Sequence, residues 1–151
     1  MSSESVYMVV NYTSSKADYF PNNKPEHFFI KFSKPLLLTE GRWKVALCEI
    51  EFQNVRKVEG EATPNHFEVD LAYCEGLLVH CTQTNCLRRI PFRRTGHVIY
   101  TSPFYVDIHS NYIDSCEIYI KALAEGKGQS PVRIKAYDDT CITVTLHFKK
   151  A

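Results

Sequence analysis

The side chains with metal-binding chemistry are six cysteines and six histidines, and their densest group lies in the middle of the chain. That group contains Cys74, His80, Cys81 and Cys86. Structural zinc sites use paired ligands two to four residues apart, and only Cys81 and Cys86 come near this spacing. His80 and Cys81 are adjacent, so in a strand they point to opposite faces. The spacing therefore disfavours zinc, and we predict no cofactor.

No other pattern is typical of an enzyme active site. The chain has no Gly-x-Ser-x-Gly elbow, no His-Glu-x-x-His motif and no His-x-His pair of the kind a metal-binding cupin needs. Asp107 and His109 lie on one face of a predicted strand, where a surface hydrogen bond is a commoner role than acid–base chemistry. The glycine-rich segment 126–130 lacks the first glycine of a phosphate-binding loop and the following helix, so we interpret it as a hairpin loop. We therefore predict that the protein is not an enzyme.

A run of arginines is the sharpest charged feature of the sequence. Arg88, Arg89, Arg93 and Arg94 are interleaved with apolar residues and could bind phosphates, or the carboxylates of a partner, with bidentate hydrogen bonds. The alternative is a solvated edge strand that charge and Pro91 protect from pairing with another chain. The formal net charge of +1 does not indicate wholesale binding of nucleic acid, so both interpretations concern one local patch.

Short strands must position all of these side chains. Aromatic residues make up 13% of the chain, and short apolar runs alternate with turn-forming Gly, Pro, Asn and Asp. The clearest strands are 27–32, which Pro35 closes, 42–52 and 141–149. In the second of them the alternation changes phase near Cys48, which predicts a β-bulge or a change of burial partner.

The C-terminal part of the chain also predicts strands. Residues 138–140 form a turn, which predicts a hairpin between strands 132–137 and 141–149. Segment 119–125 alternates in hydrophobicity, so we predict a strand there and not a helix. About ten such strands predict one all-β domain over residues 1–151. Because the Cys, Trp and Cys spacing of an immunoglobulin domain is missing, we predict a single jelly roll, a β-sandwich of two antiparallel sheets.

The sequence contains no recognisable targeting or membrane-spanning segment. The apolar stretch 6–10 is too short for a secretory signal, and the longest uncharged apolar run, 76–81, is too short to span a bilayer. We therefore expect synthesis in the cytosol or nucleus and no membrane association. Under this expectation all six cysteines are reduced thiols, most of them small buried hydrophobic residues.

Two stretches carry a more specific pattern. The first runs from 19–23 (Tyr-Phe-Pro-Asn-Asn) through Pro35 and Gly41 to 43–50 (Trp-Lys-Val-Ala-Leu-Cys-Glu-Ile). The second begins with Ile118 and Ile120, continues with Asp-Asp-Thr at 138–140 and ends with Val-Thr-Leu-His-Phe-Lys at 144–149. Together they resemble the penton-like minor capsid proteins of Polinton (Maverick) elements, adintoviruses and related animal DNA viruses. Members of that family usually have a longer middle segment, so the chain resembles a compact relative.

The resemblance implies a structural protein of a virion. It implies a single jelly roll that forms a homopentamer at the icosahedral five-fold vertices, beside the major capsid protein, after synthesis in the host cytoplasm and assembly in the host nucleus. A host receptor or fibre is a further candidate partner, and contact of the arginine run with nucleic acid stays open. The residues that the resemblance assigns to a structural core motif are Phe20, Pro21, Asn22, Pro35, Gly41, Trp43, Val45, Leu47, Leu146 and Phe148.

Two alternatives use related all-β architectures. One is a trimeric receptor- or ligand-binding jelly roll of the tumour-necrosis-factor type, which would need a secretory signal or a membrane anchor. The other is a small cupin-like enzyme, which would need metal-binding histidines. Oligomeric state separates the three classes, since they predict a pentamer, a trimer and a monomer respectively.

Overall fold

The computed structural model describes residues 5–14, 20–79, 82–124, 131–135 and 137–151, and every structural statement below refers to them. Their regular structure is entirely β and comprises fourteen strands. In chain order these are β1 (Ser5–Val10), β2 (His27–Leu37), β3 (Trp43–Gln53), β4 (Arg56–Lys57), β5 (His66–Leu71), β6 (Cys74–Glu75), β7 (Leu78–Val79), β8 (Thr82–Gln83), β9 (Cys86–Pro91), β10 (Gly96–Ile99), β11 (Val106–Ile108), β12 (Tyr112–Leu123), β13 (Ile134–Lys135) and β14 (Cys141–Lys150).

The long strands form two antiparallel sheets. Sheet 1 has the order β1-β14-β3-β11-β6, with β10 also paired to β3, and sheet 2 has the order β2-β12-β5-β9. The pairs are nested along the chain, because β1 pairs with β14, β2 with β12, β3 with β10 and β11, and β5 with β9. One long antiparallel hairpin rolled into two Greek keys gives this nesting, which defines a jelly roll. The predicted jelly-roll sandwich is therefore confirmed.

A single hydrophobic cluster fills the space between the two sheets. Phe52 of sheet 1 stacks on Phe67 of sheet 2 with their ring centroids 4.8 Å apart, and Phe92 lies 5.0 Å from Phe67. Burial of one such phenylalanine side chain stabilises a fold by about 1.5–3 kcal/mol. The stacked rings thus hold the sheets face to face and fix the positions of the strand edges that flank them.

The alternation of buried residues along strand β3 changes phase near Cys48, as the sequence predicted. The buried large side chains are odd-numbered as far as Leu47 and even-numbered after it. In the pairing with β14, Leu47 lies opposite Leu146 and Glu49 lies opposite Thr145. Cys48 is therefore the extra residue of a β-bulge, and the bulge keeps the apolar residues of a long strand on the core side.

Pro35 does not end the second strand, so that prediction is wrong. In the pairing of β2 with β12, the partner of Ser115 is Lys31 and the partner of Ile113 is Leu36. The four residues of β2 between these pairs face only one residue of β12, so Pro35 lies in a register irregularity where no ladder hydrogen bond is required of it. Because β2 is an edge strand, this position tolerates proline.

The predicted hairpin between 132–137 and 141–149 is also wrong. The turn itself is present, since the Thr140 N–H donates to the Tyr137 carbonyl at 3.0 Å. However, β13 pairs with β4, and β14 lies between β1 and β3. Long-range pairing with two neighbours gives β14 more ladder hydrogen bonds than a local hairpin would supply, and this outweighs the turn signal.

The other C-terminal predictions have mixed outcomes. The strand predicted over 119–125 is confirmed as far as Leu123. The glycine-rich segment 126–130 lies outside the described residues. Within the described part of the chain, no helix is long and apolar enough to cross a membrane.

Candidate assembly surface

Five residues of the predicted core motif lie in the hydrophobic core, where they fix the positions of the strands that carry the exposed residues. Each of them is at most 4% exposed. The Trp43 indole N–H also donates to the Thr39 carbonyl at 2.7 Å, so the polar atom of this buried ring is satisfied. The five are Trp43, Val45, Leu47, Leu146 and Phe148.

The corner before β2 is held by a residue that sequence analysis did not single out. Pro21 and Asn22 are exposed, and the Phe20 ring packs 4.7 Å from the Phe29 ring. The Asn23 side chain donates to the Phe29 carbonyl and accepts from the Phe29 N–H, both at 2.8 Å. The Asn23 side chain thus satisfies both main-chain groups of Phe29, as a paired strand would. An asparagine at this position predicts only a turn, so its contact with Phe29 is not evident from the sequence.

Gly41 lies in the turn that leads into β3. Its backbone φ angle is 125°, a value that residues with a Cβ atom rarely adopt. A Cβ at this position would lie 2.7 Å from the Cε atom of Lys150, whose partner in the β14 ladder is Trp43. The turn therefore brings the start of β3 against the end of β14.

The fold divides the arginine run into parts with different surroundings. Arg88 and Arg89 lie on β9, an edge strand of sheet 2, and adjacent strand residues point to opposite faces. Arg93 and Arg94 follow in the turn to β10 and are exposed. Among the described residues, Arg89 is the one member of the run that pairs with a carboxylate.

Arg89 is bound by its own chain. It donates from Nη2 to His66 Nε2 at 2.6 Å, and its Nε lies 3.5 Å from Glu68 Oε1. The Glu68 side chain is only 12% exposed, so the guanidinium compensates a largely desolvated carboxylate. Arg89 therefore stabilises the fold of its own chain.

Arg88 is held between two aromatic rings. Its Cζ atom lies 3.7 Å from the Tyr100 ring centroid and 3.9 Å from the Phe104 ring centroid. Nη1 donates to the Ser102 carbonyl at 3.4 Å, and this is the one hydrogen bond it makes among the described residues out of five N–H groups. The two rings cover the faces of the guanidinium and leave the N–H groups at its edge accessible. N–H groups in this arrangement can donate to planar acceptors such as carboxylates or carbonyl groups.

Tyr100 beneath this arginine is itself unusual. Its hydroxyl is buried and has no hydrogen-bond partner in the described part of the chain. Burial raises the pKa of the Tyr100 phenol, while the nearby cations Arg88 and Arg93 act in the opposite direction.

We call this surface the β9–β10 flank, and it is lined by Arg88, Ile99, Tyr100 and Phe104. Two of its apolar residues are well exposed, with Ile99 at 65% and Phe104 at 49%. The sequence pattern marks Arg88 but not Tyr100 and Phe104. A turn and strand β10 separate these two rings from Arg88 along the chain, and they come close to it only in the folded protein.

The opposite edge of sheet 1 exposes a second apolar pair, which we call the β1 flank. Tyr7 and Val9 of β1 are 66% and 64% exposed. Inside it, the Tyr7 ring stacks on His147 with centroids 4.1 Å apart, and the Tyr105 hydroxyl lies 2.8 Å from His147 Nδ1. The alternation of β1 and β14 is the one feature of the sequence that points to this cluster, and it does not show that these side chains meet.

His147 is only 9% exposed although it lies on the outer side of sheet 1. Burial lowers the pKa of its imidazole, and the neighbouring Lys149 cation lowers it further. Its Nε2 atom is buried without a hydrogen-bond partner in the described residues. The cluster therefore favours the neutral imidazole.

The cysteines considered for zinc have the properties of buried thiols. Cys74 donates to the Leu71 carbonyl at 3.1 Å, and burial raises the pKa of Cys74 and of Cys86 to about 12. Burial thus keeps both thiols protonated at neutral pH. His80 and Cys81 lie outside the described residues.

Two further polar groups are explained by partners within the chain. Glu68, Asp70 and Cys86 have ligand atoms within 4.8 Å of one another. Asp70 lies 2.9 Å from Lys121 Nζ, and Arg89 lies beside Glu68, so both carboxylates already have cations. This cluster is a set of ion pairs on sheet 2.

The fold does not bring Asp107 and His109 together as a pair. Asp107 Oδ2 accepts from Arg42 at 3.3 Å. His109 Nε2 lies 3.4 Å from Glu75 Oε1. Both residues therefore make ordinary surface contacts.

The comparisons with known proteins agree with the architecture. No family model matches the chain, and no curated protein matches it. Among solved structures it is similar to the crystal structure of the mavirus penton protein, with a TM-score of 0.61, 7% sequence identity, and coverage of 97% of this chain and 99% of that chain. The chain has the fold of a penton protein. The penton resemblance predicted from the two terminal stretches is thus confirmed at the level of the fold.

The two exposed apolar pairs lie at opposite edges of the sandwich. Tyr7, Val9 and Ile99 project from the outer face of sheet 1, because Tyr7 pairs with His147, and Val9 and Ile99 share one row through Thr145 and Glu49. The β1 flank lies at one edge of sheet 1, and the β9–β10 flank lies at the other, beside the β9 edge of sheet 2. Aromatic residues and arginine are the types enriched at protein interfaces. Both flanks therefore carry exposed residues of the types that are common at protein–protein interfaces.

Proposed function

We propose that this chain is a structural subunit of a viral capsid, a penton-type minor capsid protein without a catalytic role. The observation that supports this most strongly is the jelly roll shared with the mavirus penton protein over 97% of this chain and 99% of that one. The terminal motifs that resemble Polinton and adintovirus proteins support the same conclusion independently, because they are a property of the amino-acid sequence alone.

The proposed assembly is a homopentamer at the five-fold vertices of an icosahedral virion. Rotational symmetry of this order requires heterologous contacts, in which one surface of a subunit meets a different surface of the next. A jelly roll with exposed apolar residues on two opposite flanks meets that requirement. The penton would contact the major capsid protein around it and a receptor or fibre at its exposed end, after synthesis in the host cytoplasm and assembly in the nucleus.

Electron microscopy of the purified protein tests this function. Class averages of negatively stained particles should show rings with five-fold symmetry. Three-fold averages would favour the ligand-binding trimer of the tumour-necrosis-factor type. The matching control is the same preparation after dilution, because a ring held by weak contacts should dissociate into single subunits.

A further inference from the structure

We infer that neighbouring copies of this chain contact each other through the β1 flank of one copy and the β9–β10 flank of the next. The inference rests on the proposed pentamer and names the two surfaces that close it. Three independent observations support it, namely the unprotected edge of β1, the alignment of exposed apolar residues, and the unused hydrogen-bond donors of Arg88.

The first observation concerns the strand edges of the sandwich. Natural proteins protect exposed edges with charge, proline, irregularities or shortness. The edge strand β2 carries Lys34 and Pro35, and β9 carries Arg89 and Pro91. The remaining edges of sheet 1 on that side belong to β6 and β10, which have two and four residues.

Among the described residues, strand β1 has none of these protections. Over Ser5–Val10 it contains no charged residue and no proline, and its six pairs with β14 continue without a register shift. Among the described strands, β14 is its one partner, so the main-chain groups on its other edge are left without a ladder. An edge of this type is expected to pair or pack in the assembled state.

The second observation comes from the strand register. Ile99 pairs with Glu49, Glu49 pairs with Thr145, and Thr145 pairs with Val9, so Ile99 and Val9 end the same row across sheet 1. They are also 65% and 64% exposed. In a ring whose axis runs along the strands, rotation keeps each row of residues at its own height, and Val9 of one copy would then lie level with Ile99 of the next.

The third observation is the chemistry of Arg88. Its guanidinium lies between Tyr100 and Phe104, and most of its N–H groups have no acceptor in the part of the chain that the structure describes. The free edge of β1 offers carbonyl oxygens, and β1 has no cation to repel Arg88. The donor edge and the acceptor edge are complementary, and Tyr7 and Val9 would pack on Phe104 and Ile99. This complementarity selects a second copy as the occupant.

Nucleic acid fits the same flank less well. Proteins bind single-stranded nucleic acids by stacking the bases on open aromatic faces and by lining a groove with several cationic side chains. Here the Tyr100 and Phe104 rings already face the Arg88 guanidinium, and the neighbouring Ile99 is apolar. We therefore treat nucleic acid as an outcome that the test must be able to detect.

The test uses two complementary variants, Val9→Glu and Ile99→Glu. Each should weaken association at least about 100-fold, because an unpaired carboxylate would be buried in the interface. Neither should disturb the fold, since both side chains are largely exposed, and thermal unfolding within a few degrees of wild type checks this. Leu78→Glu is the matched control, because Leu78 is 68% exposed on β7 outside both flanks and should leave the pentamer intact.

Mixing the two variants tests the heterologous geometry directly. Each alone should sediment as a monomer. An equimolar mixture should form dimers and stop there, because each pair of copies retains one intact interface and cannot continue the ring. Two variants that each still form pentamers would overturn the inference. So would a mixture that remains monomeric although the wild type is pentameric.

Arg88→Lys tests the donor edge, with Arg89→Lys as its control. Arg88→Lys keeps the charge but loses the planar fork, so association should weaken about tenfold. Arg89→Lys should have no effect on association, because Arg89 is bound within its own chain. Equal effects of both substitutions would show that only total charge matters and would contradict the role of Arg88.

Two results separate failure of this interface from failure of the proposed function. A wild-type protein that is monomeric at every concentration would contradict the pentamer itself, and the inference with it. A wild-type pentamer that tolerates all of these substitutions would contradict the interface alone. A 20-nucleotide single-stranded DNA whose binding is lost in Arg88→Lys would assign the β9–β10 flank to nucleic acid and overturn the inference.

Discussion

His147 is the residue whose proton binding the fold changes most clearly on the outer side of sheet 1. Burial and Lys149 lower its pKa below the ordinary value, so the unfolded chain binds a proton more readily than the folded one. The contribution of this residue to stability is therefore fully present above about pH 6.5 and is lost as the pH falls through the lower pKa of the folded state.

This sign gives the first prediction. Urea unfolding at pH 7.5 and at pH 5.0 should show lower stability at pH 5.0 for the wild type. The loss should be smaller in His147→Gln, which cannot take up the proton. An identical pH dependence in both proteins would contradict the buried, neutral imidazole. Tyr7 covers His147 from the β1 flank, so the same variant also tests that packing.

The cysteines give a second prediction at the residue scale. Burial raises the pKa of Cys74, Cys86 and Cys116 to about 12, whereas Cys48 and Cys141 are half-buried. At pH 8 the native protein should therefore add iodoacetamide at Cys48 and Cys141 well before the three buried thiols react. Peptide mass mapping over time measures the order.

A denatured, non-reduced sample is the control for that experiment. It should gain six alkyl groups, one for each cysteine of the sequence. An intact mass that showed bridged cysteines would contradict the predicted reduced thiols and the expected cytosolic or nuclear synthesis.

Strand β3 supports the third prediction, at the scale of elements. Trp43 is 4% exposed at the start of this strand, and its indole N–H is bound to Thr39. Trp43→Ala should therefore lower the free energy of unfolding by about 3–5 kcal/mol, as measured by urea denaturation. Tyr112→Ala, at a ring that is 56% exposed, should change it by less than about 1 kcal/mol. Equal effects would mean that Trp43 is not a core residue.

At the same scale, alternation predicted the strands where one face is buried and failed where partners come from afar. The bulge at Cys48 was visible because hydrophobicity itself changes phase there. The pairing of β13 with β4 could not be predicted from the sequence. The turn at 138–140 is a local signal that favours pairing with β14, whereas nothing in the local sequence indicates the distant strand β4. Pro35 was read as a strand end because the sequence does not show that β2 is an edge.

At the scale of the whole molecule, the arginine run is the part of the candidate surface that could be predicted from the sequence. The four arginines were evident, but their division was not. Arg89 faces His66 and Glu68, whereas Arg88 faces Tyr100 and Phe104. The exposed residues of β1 were missed because an edge position depends on strand order, which pattern alone does not give.

The central claim is that this jelly roll assembles as a ring of five through heterologous flanks. Sedimentation velocity of the purified wild-type protein over a wide concentration range tests it most directly. The account predicts a species with the mass of five copies in reversible equilibrium with the monomer, and no stable trimer. A clean trimer at all concentrations would contradict the penton assignment.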